Sequence, residues 1–491
     1  MRRALMGTGV MCVISMATAC ATIAPPPKSA PRAEGSSGVS PATAVASIDA
    51  TPPAPEPTPT SSNGPWIGAA AESEMILSST GETYLGVWVD APVAKPRVRA
   101  PVDLALVIDT SGSMAGEKIE NARAAARALV IALADVDVVS VDTFSDHAHV
   151  LVPPTVLGPN RSRILGAISE LVPSGPTNMF EGLSFGESHM AQAPADHPVR
   201  RIVMISDGIA NVGPSTPEAL GALAERGLRF HAQVTSLGVG NDYDENTLNA
   251  LAVRTSGRLF HLSEPREMAA ILKSEVELLG ASVASDAFVE IVPAPGVQIL
   301  STDGARTEWM TGAAGGALRI PLGTLFAGQH REALLRVRVV SSAAPAVGAR
   351  TLASVRLHFR DPAEGDLDRV QEVVARVQTT DDIAAVASHN NPRTRAIVAM
   401  QQASKLQMAA AQRVNQGQFG AADAELATAE AELRKGAAEA KDDREKNRLA
   451  AAATGVAHAR AATKAAAAAP APMQRDQALR LNGAGMKDAG Y

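Results

Sequence analysis

Three short loops carry the residues best suited to chemistry in this 491-residue chain. In "LALVIDTSGSM" an apolar run stops at Asp109 and then offers Ser111 and Ser113. The segment "PSGPTN" (173–178) offers Thr177, and "SDG" offers Asp207. Together they hold two carboxylates and three hydroxyls, with no His or Cys among them. An all-oxygen set of this kind suits Mg²⁺, Mn²⁺ or Ca²⁺ and not zinc. Two carboxylates nearly neutralise a dication, while neutral hydroxyls leave it electrophilic enough to take one more anionic ligand from outside. Gly112 is expected to let the first loop turn between its two serines. Taken alone, "DTSGS" also fits a capped helix start, where Asp, Ser and Thr are favoured.

Other spacings fit enzymes poorly. "GLSFG" (182–186) matches G-x-S-x-G, but a nucleophile elbow needs a strand immediately before its serine. The preceding "TNMFE" has no strand character, so Ser184 is expected inside a helix, with His189 on that helix's surface. An aspartyl phosphatase would need an acid at position 111, which is serine. "NDYDENTL" (241–248) alternates Asp and Asn like a calcium loop, yet Thr247 stands where the turn glycine must fall, so it reads as a helix start. No base or nucleophile accompanies the oxygen set. The expectation is a binding protein and not an enzyme.

The elements that must position these loops follow from periodicity. Residues 101–279 alternate apolar strands ("VDLALVI", "VDVVSVDTFS", "RRIVMIS") with helical spacing ("EKIENARAAARALVIALA"). "HAHVLV" reads as the second arm of a hairpin. Apolar strands between amphipathic helices predict an α/β fold with a doubly wound, mostly parallel sheet buried on both faces. Such sheets bind ligands beyond the strand carboxyl ends, where strand order switches. Both aspartates follow strands.

The order "DTSGSM", "SGPTN", "MISDG" resembles the von Willebrand factor type A (VWA) domain over about residues 101–279. "VDTFSDHAHVLVPPT", "SLGVGNDYDENTLNALA" and "SGRLFHL" are also similar to that family's internal signatures. The resemblance extends more loosely to bacterial lipoproteins that combine this domain with β-rich and helical flanks. It implies a metal-ion-dependent adhesion site at Asp109, Ser111, Ser113, Thr177 and Asp207, holding Mg²⁺ (or Mn²⁺ or Ca²⁺). It also implies a protein partner whose Glu or Asp completes the metal shell.

Around this domain the composition changes. Residues 66–99 alternate with period two around Tyr84, Val87 and Val89, which predicts one or two strands. Residues 281–378 are short strands and turns, read as a β-sandwich that the strands of 66–99 are expected to join. Residues 381–469 are alanine-rich and helical, and 470–491 are expected to be a disordered tail. An alternative function rests on that helical segment: a structural or scaffolding envelope protein that recruits through its helices, its metal only stabilising.

The leader sets the compartment. "MRRALMGTGVMCVISMATAC" has a basic start, then an uncharged stretch too short to span a membrane, so residues 1–19 read as a signal peptide. "ATAC" resembles a bacterial lipobox, which would make Cys20 a lipidated first residue. Only two cysteines exist, Cys12 and Cys20, so cleavage before Cys20 leaves no intrachain disulfide. Residues 20–65 are dominated by Pro, Ala, Ser and Thr with almost no large apolar residues, a tether that cannot bury a core. The expectation is a bacterial, lipid-anchored envelope protein, with the outer membrane favoured because Ala21 gives no retention signal. A net charge of −6 and the lack of a basic cluster argue against nucleic acid.

Overall fold

The computed structural model describes residues 66–78, 81–93, 99–207, 209–240, 243–262, 265–310, 316–340, 348–440 and 442–489. Residues 1–65, where the signal peptide, the tether and the lipidated Cys20 are expected, lie outside the described residues. The described chain begins with β1 (Ile67–Ala71), β2 (Met75–Leu77) and β3 (Gly81–Asp90). That is three strands where the alternation predicts one or two, because β2 is too short to register as a pattern.

The α/β domain follows: β4 (Val102–Asp109), α1 (Glu117–Ala132), β5 (Val138–Phe144), β6 (Ala148–Val156), α2 (Leu157–Ser169), α3 (Met179–Met190) and β7 (Val199–Ser206). It continues through α4 (Pro217–Gly227), β8 (Ala232–Val239), α5 (Glu245–Arg254), β9 (Arg258–Leu262) and α6 (Met268–Leu279). The sheet order is β6-β5-β4-β7-β8-β9, parallel except for the β5–β6 pair. Every residue of β4 is buried. Its alternate side chains serve two cores, as a strand's period of two requires. Leu104, Leu106 and Ile108 pack with α1, α2 and α6, and Ala105 and Val107 pack with α3, α4 and α5. The strand order reverses at β4, with β5 on one side and β7 on the other, so the crevice at their carboxyl ends is the switch point.

After α6 come β10 (Ser282–Pro293), β11 (Val297–Asp303), β12 (Glu308–Met310), β13 (Ala317–Phe326), β14 (His330–Val339), β15 (Gly348–Asp361) and β16 (Leu367–Thr380). One sheet runs β1-β3-β14-β11 and the other β12-β13-β10-β15-β16-β2. The early strands are therefore integral to this layer pair. β3 pairs antiparallel with β14 over ten residue pairs, and β2 pairs parallel with the end of β16. Leu85, Val87, Leu335 and Val337 of one sheet share a core with Val289, Ile320, Val355 and Leu357 of the other. Trp66 closes one end, stacked on Phe359 at 4.6 Å.

The chain ends in helices α7 (Ile383–Ser388), α8 (Pro392–Asn415), α9 (Phe419–Glu439), α10 (Asp443–Ala466) and α11 (Ala471–Ala489). Asn391 caps α8 with its side chain on Thr394 N, and Pro392 occupies the first turn, where a missing N–H costs nothing. The tail expected to be disordered is instead α11. Its buried apolar residues Ala478, Leu479, Leu481 and Met486 are too few to stand out as a helical pattern in an alanine-rich sequence. Leu479 reaches into the core of the α/β domain, while Ala478 and Leu481 join the helical core.

Candidate metal centre

Asp109 ends β4 and is fully buried, which makes its charge expensive unless hydrogen bonds or a cation compensate it. Ser111 N donates to its Oδ1 at 2.8 Å, and Ser206 Oγ, from the end of neighbouring β7, donates to Oδ2 at 2.6 Å. Burial pushes the Asp109 carboxyl up to about 6, the hydrogen bonds from Ser111 and Ser206 oppose that rise, and the charge of Asp207 adds to it. Ser111 Oγ lies 3.0 Å from Ser113 Oγ, and Ser113 Oγ donates to Asp207 Oδ1 at 2.8 Å. Four of the five sequence candidates thus form one hydrogen-bonded chain, whose first link is the Ser111 backbone N–H. It is closed beneath by the sheet and open to solvent at Gly112 and Ser113.

Thr177 reaches the same place through its backbone. Gly112 N donates to Gly175 O at 2.9 Å and Ser174 N to Thr110 O at 2.7 Å, which ties the second loop to the first. Asn211 Oδ1 accepts from Thr177 N at 2.8 Å, and Asn211 N returns a bond to Thr177 O at 3.0 Å, which ties it to the third. The glycine with a special backbone here is Gly175, at φ 77°, and not Gly112. A side chain at 112 would meet Gly175 O only at an ordinary 3.5 Å. Gly175 turns its carbonyl back onto the first loop, a conformation with no Cβ penalty only for glycine.

Sequence reasoning missed three participants. Ser206 and Asn211 flank Asp207 in "MISDGIAN" and look like ordinary loop polar residues. Lys118, in the first turn of α1, places its ammonium on Asp207 Oδ2. Its signal is a cation at a helix N-terminus, where the macrodipole disfavours one. Among the described residues no group of three or more His, Cys, Asp or Glu could hold a metal, so a metal held here relies on hydroxyl donors. The donor set fits a hard dication: two carboxylates, hydroxyls on two loops, and an open side for an outside ligand.

The rival motifs resolve into structure. Ser184 lies within α3 and donates to Phe180 O at 2.8 Å. His189 is buried and not on the surface as expected, with Nε2 2.9 Å from Asp142 Oδ1. The amphipathic pattern hid this because α3 packs a polar residue onto a polar position of β5. Asp244 caps α5, accepting from Asn246 N at 3.0 Å and Thr247 Oγ1 at 2.6 Å.

Residues 103–274 match the family model of the von Willebrand factor type A domain. With its sheet order, this part of the chain has the VWA α/β fold. Uncharacterized protein sll0103 of Synechocystis sp. is 26% identical over 310 residues, 61% of this chain and 72% of that protein. Inter-alpha-trypsin inhibitor heavy chain H3 of Rattus norvegicus is 31% identical over 179 residues, 34% of this chain but only 19% of its own length. Among solved structures, a von Willebrand factor type A protein from Catenulispora acidiphila superposes with a TM-score of 0.68 at 16% identity. That match covers 87% of this chain and 98% of the other, so the likeness of fold takes in the sandwich and helices as well.

Proposed function

We propose that this protein is a cell-envelope lipoprotein that binds a protein partner through a divalent-metal-dependent site in its VWA domain. The observation that carries the reading is the hydrogen-bonded chain Asp109–Ser111–Ser113–Asp207 at the switch point of the sheet. Asp109, Ser111, Ser113, Thr177 and Asp207 would hold Mg²⁺, with Mn²⁺ or Ca²⁺ as substitutes. The bound metal would supply a Lewis-acidic position that an Asp or Glu of the partner completes. VWA domains generally mediate protein–protein contacts, which supports the choice of a protein ligand. The leader, the lone Cys20 and the tether support attachment to the envelope. The reading includes no catalytic step, and the hydroxyl of Ser184 is committed to its own helix.

The test is calorimetric titration of Mn²⁺ into the full chain and its Asp109→Ala variant. A pull-down from envelope extract, with and without chelator, runs beside it. Removing Asp109 leaves a single carboxylate at the site, so Mn²⁺ heat should vanish while a cooperative unfolding transition persists. Metal should raise the melting temperature of the wild type alone, by linkage. Equal Mn²⁺ binding by the two proteins overturns the metal site, and capture that ignores the chelator overturns metal-dependent adhesion.

A further inference from the structure

We infer that Lys118 is an affinity-determining residue of this site: its ammonium stands in for the dication in the metal-free fold, and a metal binds only against it. The inference rests on the metal-binding reading above. Asp207 has a fully buried side chain, and a carboxylate in that position needs a positive partner. Lys118 is that partner, its ammonium on Asp207 Oδ2 while Ser113 takes Oδ1. The lysine is oddly placed for anything else. It follows Glu117 in the first turn of α1, where acidic residues suit the helix dipole and a cation opposes it. Its side chain is 28% exposed, folded back over the loops where solvent would let it extend. A Cβ built on Gly240, just beyond β8, would lie 3.7 Å from Lys118 Cε and 3.8 Å from Nζ. The ammonium is therefore wedged at the carboxyl ends of the central strands, beside the ligands proposed for the metal.

A dication held by Asp109 and Asp207 must share Asp207 with this charge or displace it. Even with water-like screening, a dication and an ammonium that share one carboxylate repel enough to change affinity on the order of tenfold. Lys118 thus balances the charge of Asp207, one of the two carboxylates, and weakens metal binding as the cost of that order.

Lys118→Met and Lys118→Arg test this in the full chain, with Mn²⁺ alone as the probe and Asp109→Ala as the control. Lys118→Met should bind Mn²⁺ about tenfold more tightly than wild type. Without metal it should melt a few degrees lower, because Asp207 has lost its counter-charge. Lys118→Arg keeps the charge and should match wild type in both measurements. A structural role alone would lower the melting temperature without tightening Mn²⁺. Unchanged or weaker Mn²⁺ binding by Lys118→Met overturns the inference, as does Lys118→Arg behaving like Lys118→Met. If Asp109→Ala still abolishes binding in either case, the metal site itself stands. If none of the proteins binds Mn²⁺, the metal reading fails and takes this inference with it.

Discussion

At the residue scale, the α/β domain separates polar groups that build the site from polar groups that build its support. Asp109 and Asp207 sit at strand ends with neighbours poised to ligate. Asp142 lies two residues before the end of β5, buried, with His189 as the partner on its Oδ1. Burial raises the Asp142 carboxyl, and the histidine opposes that rise. His189→Ala should therefore cost about 2–3 kcal/mol of stability in chemical denaturation, the scale for leaving a buried polar group without its hydrogen-bond partner. Mn²⁺ affinity should not change, because neither residue touches the loops that hold the site. A loss of Mn²⁺ binding at full stability would place His189 in the site after all.

At the element scale, the described chain closes on itself through α11. This helix packs along α8 and touches the VWA domain at three points. His261 Nε2 lies 3.1 Å from Asp476 Oδ1, Arg475 Nη1 lies 3.4 Å from Glu245 Oε1, and Leu479 enters the apolar core. Solvent-screened ion pairs of this kind contribute little, so the leucine carries the docking. Leu479→Ala should destabilise the protein by about 2–5 kcal/mol. Amides of β9 and α5 should then exchange with solvent faster, while those of β15 and β16 keep their protection. Uniform loss of protection would show that α11 supports the whole fold and not this edge alone.

At the scale of the whole molecule, polar networks join the layers. Buried Arg201, which faces Glu275 within the α/β domain at 3.7 Å, meets the Phe326 ring of the sandwich at 5.9 Å. Between the sandwich and the helices, His330 bridges Asp90 at 2.5 Å and Glu332 at 2.6 Å. Arg393 from α8 and Arg444, Glu445 and Arg448 from α10 close around them. Burial works against the His330 imidazolium, but its bonds to Asp90 and Glu332 outweigh that and raise its pKa above 6.5. Burial also works against the charged forms of Asp90 and Glu332, yet His330, Arg393 and Arg448 hold both near 2. The sign follows from linkage. The histidine's contribution is complete below its ordinary 6.5 and fades as pH rises through the raised value. The carboxylates' contribution is complete above their ordinary 3.8 and 4.5 and fades only as pH falls toward 2. Melting temperature should therefore decline from pH 6 to 9 in wild type, and His330→Gln should flatten that decline. An identical slope in the two proteins would remove His330 as its source.

What the sequence determined by itself was local and periodic. Period-two runs and helical spacing marked the doubly wound sheet, and the turn residues at its strand ends marked Asp109, Ser111, Ser113 and Asp207. These signals survive translation into structure because a strand buried on both faces must be apolar throughout and must end where polar residues begin. Other features were decided only by tertiary contacts. Thr177 joins the site through its backbone, which Asn211 holds with both its Oδ1 and its N–H. Gly175 O ties the same loop to Gly112 N, and these links span separate parts of the chain. Lys118 finds Asp207 across 89 residues of chain. His189 is buried because a strand from another part of the chain offers it Asp142. The last helix is held by Leu479 in the core of the α/β domain and by Ala478 and Leu481 in the helical core, partners that lie far away in the chain. A sequence reports what each segment needs to bury, but only the assembled fold supplies the surface against which it is buried.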